Sequence, residues 1–141
     1  MRDNAMKASD ISVLLVEDDE ISNHFAQLVC RKHATQVTHV SSALAALELL
    51  NVRRFDLLVL DHQLGGINGL QLLDAFRGDL ANTAIMVMTA NLDPALKVQY
   101  EERGCRLYLN KPLTLEALEF ALAAVIGKLR RERPKWPLMT S

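Results

Sequence analysis

Leu57-Leu58-Val59-Leu60-Asp61 is an apolar run that stops on an acid. It has the length of a strand, and an apolar run without alternation suits a strand buried on both faces, as in a parallel sheet. Working outward, Val13-Leu14-Leu15-Val16 stops at Glu17 and Asp18, a run over residues 85–88 stops at Thr89, and one over 107–109 leads to Lys111. In open α/β sheets ligands bind outside the carboxyl ends of the strands, so these endings predict one active edge.

A further strand-like run at 37–40 completes a series that alternates with helix-length segments, the pattern of repeated βα units. Ile21, Phe25, Leu28 and Val29 share one face of the first helical segment. Leu115, Leu118, Leu122, Val125, Ile126 and Leu129 do so in the last, and both stripes read as core. Ser42 is placed to cap a second helix carrying Leu44, Leu47 and Leu50, and Gly69 precedes a third with Leu70, Leu73 and Phe76. Asp93-Pro94 reads as an N-cap followed by a first-turn proline. The helix it opens has no clean stripe, since Leu96, Val98 and Tyr100 do not align, so it is expected to pack least firmly.

The 141 residues, half of them hydrophobic, fit one domain over residues 11–130, with an N-terminal tail at 1–10 and a basic C-terminal tail at 131–141. A net charge of −1 gives no electrostatic case for wrapping nucleic acid. The basic tail with Trp136 reads as a solvated helix end and a disordered terminus, because no recognition helix or aromatic platform accompanies its charges. Cys30 and Cys105 lack paired or metal-ligand spacing and read as reduced packing residues. No apolar stretch reaches the length of a membrane span, and the expectation is a soluble, cytoplasmic protein. His24, His33 and His39 show no metal spacing, and His62, pointing away from Asp61 by strand alternation, reads as packed or solvated.

A carboxylate at a strand end can accept a phosphoryl group as an acyl phosphate. Glu17, Asp18 and Asp61 brought close would repel one another unless a cation joined them, and Mg2+ suits hard oxygen ligands shared with a phosphate. Lys111 can pair first with the carboxylate and then with a phosphoryl oxygen, while the Thr89 hydroxyl serves another oxygen. Asp19 and Glu20 favour the first turn of the first helix.

On Val16-Glu17-Asp18-Asp19, Leu60-Asp61-His62-Gln63, Thr89-Ala90 and Lys111-Pro112, the chain resembles the receiver domains of two-component response regulators over residues 11–129. The resemblance implies a flavodoxin-like (βα)5 fold with a parallel sheet of order 2-1-3-4-5 and helices on both faces. It implies that Asp61 is phosphorylated by a histidine kinase or phosphotransfer protein. Asp18 and Asp61 would then bind magnesium directly, Glu17 through water, and Gln63 through its backbone carbonyl. Thr89 and Tyr108 would form a switch, Gln63 and Asn91 would modulate water access, and the Lys111-Pro112 bond would be cis. The fourth helix, fifth strand and fifth helix become the first surface to examine for a homodimer or an output partner.

Many members follow the acceptor with Met-Pro and later Asp-Gly, where this chain has Leu64-Gly65-Gly66-Ile67-Asn68-Gly69, so a looser loop is expected. That departure keeps open a pseudo-receiver that only binds protein. A haloacid-dehalogenase-like phosphotransferase would need a second Asp where Gln63 stands, and no segment supplies a substrate cap. A turnover enzyme is therefore not expected. The chain reads either as a single-domain regulator or as the receiver of a longer hybrid kinase or multidomain regulator.

Overall fold

The computed structural model describes residues 10–34 and 36–132. The elements alternate as β1 (Ser12–Val16), α1 (Glu20–His33), β2 (Gln36–Val40), α2 (Ala43–Leu50), β3 (Leu57–Asp61), α3 (Gly69–Ala75), β4 (Ala84–Thr89), α4 (Pro94–Glu102), β5 (Cys105–Asn110) and α5 (Leu115–Glu132). All neighbouring strands pair in parallel in the order β2-β1-β3-β4-β5, the flavodoxin-like arrangement.

Every residue of β1, β3 and β4 is buried, whereas the edge strands β2 and β5 are only partly covered. Pleating sends successive side chains to opposite faces. Val13, Leu15, Leu57, Val59, Met86 and Met88 join Ala26, Val29 and Cys30 of α1 and Leu118, Leu122, Val125 and Ile126 of α5 in one core. Leu14, Val16, Leu58, Leu60, Ile85 and Val87 join Ala43, Ala46 and Leu50 of α2, Leu72 of α3, and Leu96 and Tyr100 of α4 in the other. Burying one such large aliphatic side chain contributes about 1.5–3 kcal/mol, so the strand runs carry a large share of the stabilisation.

Local chemistry sets the helix starts. Asp19 caps α1 by accepting the Ser22 N–H at 2.8 Å, and that bond holds its carboxyl below the usual range. Ser42 caps α2 through the Ala45 N–H. Gly69 is the first residue of α3 rather than its forerunner, because Asn68 is the cap and forms a reciprocal box with Gln71. Asp93 caps α4 with Pro94 in the first turn, as the sequence suggests.

The α1 stripe needs correction. Ile21, Phe25 and Leu28 are 69%, 43% and 50% exposed, and only Val29 of that set is buried. The helix instead turns Ala26, Val29 and Cys30 inward, where two of the three residues are small enough to sit between the sheet and α5. Leu44 and Leu115 are likewise exposed at the margins of their stripes. In α4 only Leu96 and Tyr100 are buried, matching its weak pattern. The α5 helix runs through Glu132, so Arg131 and Glu132, read as tail, are helical. The rest of the basic tail, with Trp136, lies outside the described residues. No helix among the described residues is long and apolar enough to cross a membrane.

Candidate functional site

Strand register places the reactive residues side by side. Val16 pairs with Leu60, Asp61 with Met88, and Thr89 with Asn110, so Glu17, Asp61, Thr89 and Lys111 emerge at one edge of the sheet. The Lys111 N–H donates to the Thr89 carbonyl at 2.7 Å, and the peptide bond between Lys111 and Pro112 is cis. The lysine Nζ donates to Glu17 Oε1 at 2.8 Å and to Asp61 Oδ2 at 3.0 Å.

Glu17, Asp18 and Asp61 each offer a carboxylate oxygen within 4.8 Å of the others. Glu17 is fully buried, Asp61 nearly so, and Asp18 is exposed. Backbone donors orient the acids: Asp19 N–H on Glu17 Oε2, Gln63 N–H on Asp61 Oδ1, and Gly65 N–H on Asp18 Oδ2. Burial pushes the Glu17 carboxyl up to about 7, helped by Asp61 and opposed by Lys111. Burial opposes the charge on Lys111, but its bonds to Glu17 and Asp61 outweigh that effect and raise its pKa. One lysine thus leaves the cluster short of positive charge. An all-oxygen donor set in that condition fits a hard divalent cation such as magnesium.

Thr89 is buried, and its hydroxyl oxygen accepts the Asn91 N–H at 3.1 Å. The Asn91 side chain accepts from the Asp93 N–H, so it helps form the turn into α4. Gln63 is exposed beside the acceptor. Tyr108 stands apart from the acids with its ring 6.0 Å from that of Tyr100. Its hydroxyl is buried without a hydrogen-bond partner among the described residues, a condition that costs about 1–3 kcal/mol. The expected loose loop is tied to the site by Gly65, even though Gly66 adopts a φ of 89°.

Sequence reasoning missed the contacts that three side chains make around the edge. His39 Nε2 lies 2.8 Å from the Glu17 carbonyl oxygen, holding β2 against the end of β1. Asn110 Nδ2 donates to the carbonyls of Thr89 and Asn91. His62 is packed, as expected, but it also pairs through Nδ1 with the Tyr100 hydroxyl at 2.7 Å. The adjacency of Asn110 to Lys111 was a readable signal, whereas the histidine contacts follow only from tertiary packing.

An apolar cavity of about 420 Å³ opens beside the lysine, lined by Ile21, Phe25, Met88, Ala90, Pro112 and Leu118 among others. It explains where part of the displaced α1 stripe goes: to the rim of the site.

Comparison with known proteins agrees with this geometry. Residues 13–123 match the sequence model of the response regulator receiver domain. The chain is 35% identical over 125 residues to the sensor histidine kinase AruS of Pseudomonas aeruginosa, covering 86% of this chain and 12% of that protein. It is 32% identical over 126 residues to the transcriptional activator protein PfeR of the same species, covering 86% and 39%. The chain therefore spans well under half the length of these curated relatives. The signal receiver domain of a putative Luxo repressor protein from Vibrio parahaemolyticus shares the fold, with a TM-score of 0.76 at 23% identity over 87% of this chain and 95% of that one. A putative response regulator from Chloroflexus aurantiacus gives a TM-score of 0.71 at 27% identity over 84% and 98%. The strand-end acids and lysine therefore sit in a fold and a sequence context that agree, and the chain belongs to the response regulator receiver domain family.

Proposed function

We propose that Asp61 is a phosphoacceptor that takes a phosphoryl group from a phosphohistidine on a histidine kinase or phosphotransfer protein. The observation that carries this reading is the contact of Lys111 with both Asp61 and Glu17 within the acidic cluster. An Asp61 carboxylate oxygen attacks phosphorus as the phosphorus–nitrogen bond of the donor breaks, and the electron pair leaves with the imidazole. No base is required, since the carboxylate carries no proton to remove.

Asp18, Asp61 and the Gln63 carbonyl would hold magnesium, with Glu17 acting through water, and the ion would neutralise charge on the transferring oxygens. Lys111 exchanges its carboxylate partner for a phosphoryl oxygen. The Thr89 hydroxyl, now engaged by the Asn91 N–H, turns to another. Thr89 and Tyr108 act in the switch, Gln63 and Asn91 govern water access, and Pro112 shapes the lysine loop. The domain proper occupies residues 11–132, since α5 continues through Glu132.

The apolar cavity is lined by Ile21, Phe25 and Lys111, and Lys111 in turn donates to Asp61, so a donor protein that approaches the acceptor from this side lies over Ile21 and Phe25. We assign that face to the phosphohistidine-bearing partner. The face formed by α4, β5 and α5, where Val98 and Phe120 are exposed, is assigned to an output partner or a second copy of the chain.

Treatment with a small-molecule acyl phosphate and magnesium, followed by intact-mass measurement, tests the reading. Wild type should gain one phosphoryl group and Asp61→Asn none. Full modification of Asp61→Asn would overturn the assignment, and no addition to wild type would favour a pseudo-receiver.

A further inference from the structure

Tyr100 is fully buried, yet nothing in the reaction at Asp61 uses it directly. Its hydroxyl lies 2.7 Å from His62 Nδ1, and the two rings meet edge to face at 5.6 Å and 88°. The same hydroxyl fills the space that a Cβ at Gly69 would occupy. One side chain of α4 therefore touches the residue after the acceptor and the first residue of α3, while its ring lies beside Tyr108. Leu96 is the only other buried residue of α4, so this contact is a large part of what holds the helix down.

His62 is firmly joined to the acceptor segment. Its carbonyl accepts the Gly69 N–H at 3.0 Å, and the next residue donates its N–H to Asp61 Oδ1 at 3.0 Å. A covalent change at Asp61 that alters this second bond moves the backbone on which His62 sits. The Tyr108 hydroxyl, buried without a partner among the described residues, shows that this arrangement leaves a polar group unsatisfied nearby, a cost that another arrangement can relieve.

We infer that Tyr100 is a positioning residue that transmits the state of Asp61 to α4 through its hydrogen bond to His62, an inference that rests on the phosphoacceptor reading above. The bond links acceptor strand and helix without passing through Thr89. Phosphorylation disturbs it and releases α4, and the helix is protected while it holds. One neutral hydrogen bond shifts such a local equilibrium by about fivefold.

Hydrogen exchange over residues 94–110, with and without acyl phosphate and magnesium, tests this when intact mass is read on the same samples. Wild type, Tyr100→Phe, His62→Leu, their double variant and His62→Asn should all take one phosphoryl group. In wild type phosphorylation should speed α4 exchange by about fivefold. Tyr100→Phe and His62→Leu should lose that phosphorylation-linked change, the double variant should lose no more, and His62→Asn, which keeps a polar partner, should retain part of it. A full response in Tyr100→Phe would overturn the role, since phenylalanine preserves the packing but not the hydroxyl. A phosphorylated wild type with an unresponsive α4 overturns this inference alone, while a wild type without the mass increment overturns the phosphoacceptor reading and this inference with it.

Discussion

The backbone N–H of Gly65 donates to Asp18 Oδ2 at 3.2 Å, a bond that a proline at 65 could not make. The glycine that breaks the common Met-Pro pattern therefore supplies a donor to a carboxylate proposed to hold the metal.

Gly65→Pro should free that oxygen and tighten magnesium binding by about fivefold, whereas Gly65→Ala, whose Cβ meets nothing within 4 Å, should behave as wild type. Calorimetric titration with magnesium checks this. Equal affinities in all three proteins would show that the bond does not compete with the ion.

Stability without metal should fall as pH rises through the titration of Glu17. Its carboxyl is raised from the ordinary 4.5 to about 7, so the folded state holds a proton that the unfolded chain releases. The contribution is fully present below 4.5, declines between 4.5 and about 7, and is absent above, amounting to on the order of 3 kcal/mol. Denaturant unfolding with a chelator present should show this slope in wild type and its loss in Glu17→Gln. An unchanged slope in the variant would place the titration elsewhere.

Neither thiol should react readily in the native protein. Burial pushes the Cys30 thiol up to about 12 and also raises Cys105, so little thiolate exists near pH 8. Timed alkylation should label Cys30 most slowly, with both cysteines labelled promptly after unfolding. Rapid native labelling of Cys30 would contradict its place in the core.

The exposed face of α1 should matter to a protein donor and little to folding. Phe25→Ser is expected to change stability by less than about 1 kcal/mol, while Val29→Ala, in the core, should cost about 1–2 kcal/mol. Phosphorylation by acyl phosphate should persist in Phe25→Ser, and transfer from a phosphohistidine protein should slow at least tenfold, the effect of losing a central aromatic contact. Equal slowing with both donors would locate the defect in the acceptor site.

The sheet was legible because strands buried on both faces leave unbroken apolar runs, and Asp61, Glu17, Asp18, Thr89 and Lys111 were legible because each stands at or beside the end of one. The orientation of α1 was hidden because Ala26 and Cys30, small and unremarkable in sequence, take the inward face from Ile21 and Phe25. His62 and Tyr100 lie 38 positions apart and meet only after α4 packs on the sheet, so no spacing announced them. Gly65 was read for the freedom it gives the loop, yet its backbone donor is what ties the loop to Asp18.

The sheet also divides the interior so that neighbours in sequence belong to different mutational communities. Leu58 shares a core with Leu72 and Tyr100, whereas Val59 shares one with Val29 and Leu122. Paired substitutions at 58 and 72 draw on one packing problem and couple, whereas those at 58 and 122 fall on opposite sides of the sheet and combine almost independently. Epistasis in this domain therefore follows the pleat: a residue's partners in tolerance are set by the side of the strand it occupies, before its distance along the chain.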